Sequence, residues 1–153
     1  MKLKTIVAIT GNDGQGKVAV VNALVSEIRK KYPRARFHTV KSVDQSKHLI
    51  ITKGIAIGVE DLNDADERVT ESLLYFVNEK CDVIICTVKN RAPFTSAVEA
   101  LDEKYEIIWS SNYSTNERNR KVLNNLYAQG IIKMLEQYHP ELKRGNSVKA
   151  GKK

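Results

Sequence analysis

One stretch constrains the fold of this chain more than any other. Ile6, Val7, Ala8 and Ile9 form a short apolar run, the pattern of a strand buried on both faces. The run breaks into Gly11-Asn12-Asp13-Gly14-Gln15-Gly16-Lys17, and beyond it Val18, Val21, Asn22, Leu24, Val25 and Ile28 recur at helical spacing. Strand, glycine-rich turn, lysine and helix in this order make the context of a phosphate-binding loop. Gly11, Gly14 and Gly16 let the backbone curl so that successive N–H groups face one anion. The amino end of the following helix adds a positive dipole, and Lys17 adds a full charge. The bland alternative is a tight strand-to-helix turn carrying a surface lysine.

One position departs from the motif. A hydroxyl residue after the lysine ordinarily holds Mg2+, whereas Lys17 is followed here by Val18 and Ala19. Thr10 carries a hydroxyl, but on the other side of the loop. Any metal is therefore held by other groups and water, or the loop binds phosphate without efficient transfer.

With these residues in view, the form G-x-D-G-x-G-K at Gly11–Lys17 resembles the P-loop of thymidylate kinases and related nucleoside monophosphate kinases. The resemblance implies a P-loop NTPase-like domain that binds ATP or another NTP with Mg2+. Gly11, Asn12, Asp13, Gly14, Gln15, Gly16, Lys17 and Val18 would form the cradle. It also implies a P-loop strand at the centre of a sheet ordered 2-3-1-4-5. Thr10 stands where that family usually has an acidic residue, and no Asp-Arg-aromatic motif or long lid insertion follows.

At 153 residues the chain is one domain by length, and 42% hydrophobic with 28% charged residues is ordinary for a globular protein. No apolar run approaches the ~20 residues that span a bilayer. The glycine loop cuts off the first apolar run before a signal-peptide core can form, so a cytoplasmic protein without a membrane partner is expected. The net charge of +7 favours anionic partners, whether nucleotide or nucleic acid. Much of the excess sits in Arg29–Arg36 and in a tail from Lys143 to Lys153, read as a basic disordered extension of a domain over 1–142. Cations ending a helix also suit its dipole, so the first cluster has two readings. Cys81 and Cys86 have no histidine partners in a zinc pattern and read as core filling.

Along the chain, the first helix runs from Lys17 to before Pro33, followed by a strand over Phe37–Val40 and a polar loop over Lys41–Lys47. A strand over Gly54–Val59 ends in Glu60 and Asp61, and such an end is where a P-loop protein places its acidic metal-holding group. Asp61 is the candidate metal and catalytic residue beside Lys17. The competing reading makes Asp61 or Asp64 the N-cap of a helix over Asp64–Glu79, in which Arg68 is a minor anion-binding candidate. A buried strand over Asp82–Val88 leads to Lys89-Asn90-Arg91, at the sheet edge where α/β proteins bind ligands. Arg91 is the phosphate-binding candidate there, with solvated loop charges as the alternative. Then come a helix over Thr95–Lys104 and a strand over Tyr105–Ser110. A polar loop follows, in which Asn112 faces a base or the loop caps the last helix, over Asn116–Tyr138.

These elements predict an α/β domain of three layers, a mainly parallel five-stranded sheet between helices. Three functions fit: a nucleotide-binding protein working as a small phosphotransferase or NTPase, a non-catalytic P-loop adaptor or regulator acting through a protein partner, and a basic nucleic-acid-associated protein.

Overall fold

The computed structural model describes residues 3–11, 17–41, 46–112 and 117–143. The elements are β1 (Thr5–Gly11), α1 (Lys17–Lys31), β2 (Arg36–Lys41), β3 (Ser46–Thr52), β4 (Ile55–Asp61), α2 (Val69–Asn78), β5 (Val83–Thr87), α3 (Phe94–Glu99), β6 (Glu106–Asn112) and α4 (Glu117–Tyr138). A 3-10 turn, Asp66–Arg68, precedes α2. The six strands form one sheet in the order β2-β3-β4-β5-β1-β6. From β4 to β6 the pairings are parallel, whereas β3 runs antiparallel to both β2 and β4. The α/β class and the layering match the expectation.

Three features correct it. The sheet has six strands rather than five, because the stretch around Leu49–Ile51 is a strand of its own. The sheet is mixed rather than mainly parallel throughout. The strand order also differs from 2-3-1-4-5: β5 lies between β4 and β1, so the strand ending in Asp61 is not beside β1, and β1 lies next to the edge strand β6 rather than at the centre of the sheet.

The extra strand arises from a two-residue hairpin. Thr52 pairs with Ile55, and between them Lys53 (φ 55) and Gly54 (φ 76) are both left-handed. Two consecutive positive φ values give the turn whose twist matches that of the flanking strands. Glycine at its second position removes the Cβ penalty.

Alternation along the strands divides the core in two. On one face Val7, Ile9, Ile57, Val59, Val83 and Ile85 pack against Leu24 and Ile28 of α1 and Ile132 and Leu135 of α4. On the other Ile6, Ala8, Ile84 and Cys86 meet Leu73 and Phe76 of α2 and Val98 of α3. β1 is apolar on both faces because both are covered; Ile6 through Ile9 are entirely buried. Continuing the same alternation, Asp61 and Thr87 point to the α1/α4 face and Glu60 to the α2 face.

The helices differ from expectation mainly at their starts. α2 opens at Val69, with no side-chain cap, instead of at Asp64. Asp61 does not cap it either: its carboxylate accepts from the backbone N–H of Asn63, a local turn that ends β4. α3 stops at Glu99, several residues before Lys104. α1 ends at Lys31 before Pro33, with Arg29, Lys30 and Lys31 in its last turn.

The far end of the domain is fastened by polar contacts. Tyr32 donates its hydroxyl proton to Glu136 at 2.6 Å, Lys31 pairs with the same carboxylate at 3.0 Å, and Thr5 bonds His139 at 3.1 Å. A final helical turn over 141–143 buries Leu142. Of the basic tail, only Lys143 belongs to the described residues. Among the described residues no helix is long and apolar enough to cross a membrane.

Candidate functional site

The four parallel strands end along one edge, and the candidate residues gather there because strand direction brings them together. β1 ends at Gly11 and the chain re-enters regular structure at Lys17, the first residue of α1. The amino end of α1 therefore stands near the carboxyl end of β1, where a helix amino terminus can face an anion. Asn12, Asp13, Gly14, Gln15 and Gly16 lie outside the described residues. For Lys17 and Val18 only the helical backbone is described.

Beside β1, β5 continues the ladder past its end, with Val88 N donating to Ile9 O at 2.9 Å. Thr87 is level with Ile9 on one side and with Asp61 on the other. At strand spacings of about 4.8 Å, Asp61 stands about 10 Å from β1 instead of one strand away. Thr87 sits between them. It is completely buried and donates its hydroxyl proton to Asp61 Oδ1 at 2.5 Å. The same oxygen accepts from Asn63 N at 3.1 Å and Asn63 Nδ2 at 3.0 Å. Three donors on one oxygen fix the half-buried carboxylate and leave Oδ2 as its second acceptor.

On the other side of β1, Thr10 donates to Ser110 O at 3.4 Å, and Ser110 is hydrogen-bonded to Tyr127 of α4. Next to this edge a groove of about 590 Å³ separates α1 from α4. Its polar lining includes Asn22, Ser26, Arg120, Lys121, Asn124 and Asn125.

The remaining candidates are placed differently. Arg91 lies past β5, close to β1 in the sheet order, but its guanidinium is exposed, 4.0 Å from Asp66 and stacked at 5.7 Å over Phe94. Lys89 lies over the same ring at 5.7 Å. Both belong to the α2/α3 side. Glu60 faces away from α1, is fully buried, and accepts from Lys47 at 2.7 Å. Asn112 ends β6 at the candidate edge. In the basic segment Arg29 stacks on Phe37 at 4.0 Å, Lys30 pairs with Glu27 at 3.8 Å and Lys31 with Glu136, so these three charges serve the domain itself.

No protein-family model, curated protein or solved structure matches this chain. The site is therefore read from its own residues.

Sequence reasoning missed Thr87 and the groove. Thr87 was hidden inside an apolar run, where threonine reads as one more β-branched strand former. Asn22 was counted with the apolar face of α1, and its place on the groove depends on how α4 docks. Among the described residues no three His, Cys, Asp or Glu side chains gather to hold a metal. Mg2+ ordinarily takes only one or two carboxylates and completes its shell with phosphate and water. As a single carboxylate with Oδ2 outside its contacts to Thr87 and Asn63, Asp61 is chemically compatible with such a shell.

Proposed function

We propose that this protein binds a nucleoside triphosphate, ATP or a close relative, at the edge formed by the ends of β1, β5 and β4. The observation that carries the reading is the end of β1 at Gly11 and the start of α1 at Lys17, on either side of the glycine-rich stretch. β1 is a parallel strand buried from Thr5 to Ile9, and α1 packs on the face to which Asp61 and Thr87 also point. The loop amides and Lys17 would neutralise the β- and γ-phosphates, and Asp61 would hold Mg2+ through water. The groove between α1 and α4, with its asparagine amides, offers donors and acceptors to a base or ribose. Arg91 has a lesser place here, because it already faces Asp66 on the opposite side of the sheet.

A phosphotransferase or NTPase activity is one form of this function. The other is a regulator or adaptor that holds nucleotide without turning it over, and Val18 favours it. A valine supplies no oxygen to a metal at the position where charge neutralisation contributes most to phosphoryl transfer.

Calorimetric titration with ATP and GTP, with and without Mg2+, tests the reading. Lys17→Ala should weaken binding by roughly 1.5–3 kcal/mol, the range for a lost charged hydrogen bond, without moving the melting temperature. Equal affinity of the variant and the parent would remove the proposal. Turnover at ordinary kinase rates, of order 1–100 s⁻¹, would decide for the enzyme over the regulator.

A further inference from the structure

The sheet ends differently at its two edges. β2 begins with Arg36 and ends with Lys41, and cations on an edge strand discourage a further strand from pairing. β6 has neither proline nor cation, and among the described residues no strand pairs with its outer side. Glu106 N donates to Lys4 O on the β1 side. In a parallel ladder the bonded side alternates from residue to residue, so Ile107, Trp109 and Ser111 direct their N–H and C=O groups away from β1.

Apolar side chains gather at the same end of the molecule. Trp109, the one tryptophan of the chain, is level with Ala8 and therefore faces the α2/α3 side, where it is 41% exposed. On the opposite face α4 runs antiparallel to β6, with Tyr127 at Ser110 and His139 at Thr5, the residue level with Glu106. Val122, Leu123 and Leu126 form an exposed stripe along α4. Leu123 is one turn before Tyr127, so the stripe borders the side of the helix that meets β6. Gly130, one turn beyond Leu126, leaves the stripe open, since a Cβ built there would meet nothing.

We infer that a second copy of this chain pairs with β6, antiparallel about a two-fold axis at Trp109. Trp109 is the midpoint of Glu106–Asn112, so this register uses the whole strand: Ile107 pairs with Ser111, Ile108 with Ser110, and the two Trp109 with each other. The three outward residues lie symmetrically about the axis and exchange hydrogen bonds with their counterparts. An axis perpendicular to the sheet keeps each face on its own side. The two α4 stripes therefore come alongside each other, and the two indoles meet on the other face. Charge fits as well. Glu106, the only charge on β6, faces the α4 side and comes opposite Asn112 of the copy, the end at which the copy's α4 starts. Arg120 and Lys121 make that end basic. With β2 guarded by cations, pairing stops at two copies instead of continuing as a filament. A strip about 24 Å long and roughly 20 Å deep gives a footprint on the order of 500 Å² per copy, below the ~800 Å² of a standard interface. The dimer is accordingly weak, and it forms with or without nucleotide.

The test is sedimentation velocity of the full chain from about 1 μM to about 1 mM. Monomer should give way to dimer across the series. Over the same concentrations the emission of Trp109 should move to the blue and acrylamide should quench it less, as the indole leaves water. Ser111→Pro removes an outward N–H that β1 does not use, and Trp109→Lys puts a cation on the edge. Each should weaken dimerisation at least about tenfold while leaving the melting temperature in dilute solution unchanged. Trp109→Lys decides the matter if Ser111→Pro does not fold. A full chain that stays monomeric at about 1 mM overturns the inference and leaves the edge to a strand of another protein or to water. Dimerisation that appears only after deletion of residues 144–153 overturns it too, because the tail would then be the occupant. The inference falls equally if folded Ser111→Pro and Trp109→Lys dimerise as the parent does.

Discussion

Thr87 holds Asp61 in place while occupying β5, the strand between β4 and β1. Removing its hydroxyl leaves the carboxylate with only the two donors of Asn63. Thr87→Val is nearly isosteric, so its cost is mainly the lost charged hydrogen bond, about 1.5–3 kcal/mol of stability, measurable by urea unfolding. If Asp61 acts on Mg2+ through water, the Mg2+-dependent part of nucleotide affinity should fall and the metal-independent part should stay. The two cysteines illustrate the opposite case, residues whose burial makes them chemically inert. Burial pushes both thiols up to about 12, so neither forms thiolate near neutrality. Alkylation at pH 8 should be negligible in the native protein and rapid in denaturant. In the unfolded chain these thiols ionise at their ordinary, lower value. Their contribution to stability is thus complete below that value and is lost as the pH rises toward about 12. Cys86→Ala should flatten the alkaline decline, and an unchanged pH profile would contradict this. The core-filling role was readable from the apolar run around Cys86, whereas the role of Thr87 depended on which strand became its neighbour.

At the scale of elements, β4 and α2 meet at one unusually close contact. A Cβ built on Gly58 would overlap the Phe76 ring. The ring comes this close to the strand only because that position has no side chain. Gly58→Ala therefore forces Phe76 or the helix to move, at about 1–3 kcal/mol by analogy with other overpacked cores. The melting temperature should drop although alanine is the smallest possible addition. This contact also bounds what the sequence disclosed. β1, α1, β5 and α4 were legible because long apolar runs or helical periodicity leave few alternatives. β3 was not legible. Its residues Ser46–Thr52 alternate imperfectly, and Lys53-Gly54 is a weaker hairpin signal than the asparagine or aspartate pairs. Once the hairpin forms, Lys47 comes opposite Glu60, and a residue pair that local pattern places in a loop and a strand end becomes a buried ion pair. The start of α2 was misread for a related reason: Asp61 and Asp64 resemble caps, but the chain first makes a 3-10 turn with Asp66 at φ 47.

For the whole molecule, strand order decided which candidates came together. Inserting β5 between β4 and β1 moved Asp61 away from β1 and brought Thr87 in, a non-local pairing that no local sequence pattern encodes. The end of the domain is likewise set by tertiary packing. α4 is held at its carboxyl end by Glu136 to Tyr32 and Lys31, and by His139 to Thr5. Leu142 is 1% exposed and belongs to the α1/α4 core cluster. Its neighbour Lys143 is exposed and contributes no side chain to that core. The described packing thus stops at Leu142, whatever charge follows it. Deleting residues 144–153 should leave the melting temperature unchanged, because no described core or polar contact is removed. Deleting 141–153 takes Leu142 with it and should cost about 2–5 kcal/mol, as for other large-to-small changes at buried leucines. Thermal unfolding of the two truncations beside the full chain distinguishes the cases. Equal losses from both would place a stabilising contact beyond Lys143 and move the domain boundary outward. Equal stability of all three would mean that Leu142 closes no essential part of the core and that the domain ends with α4.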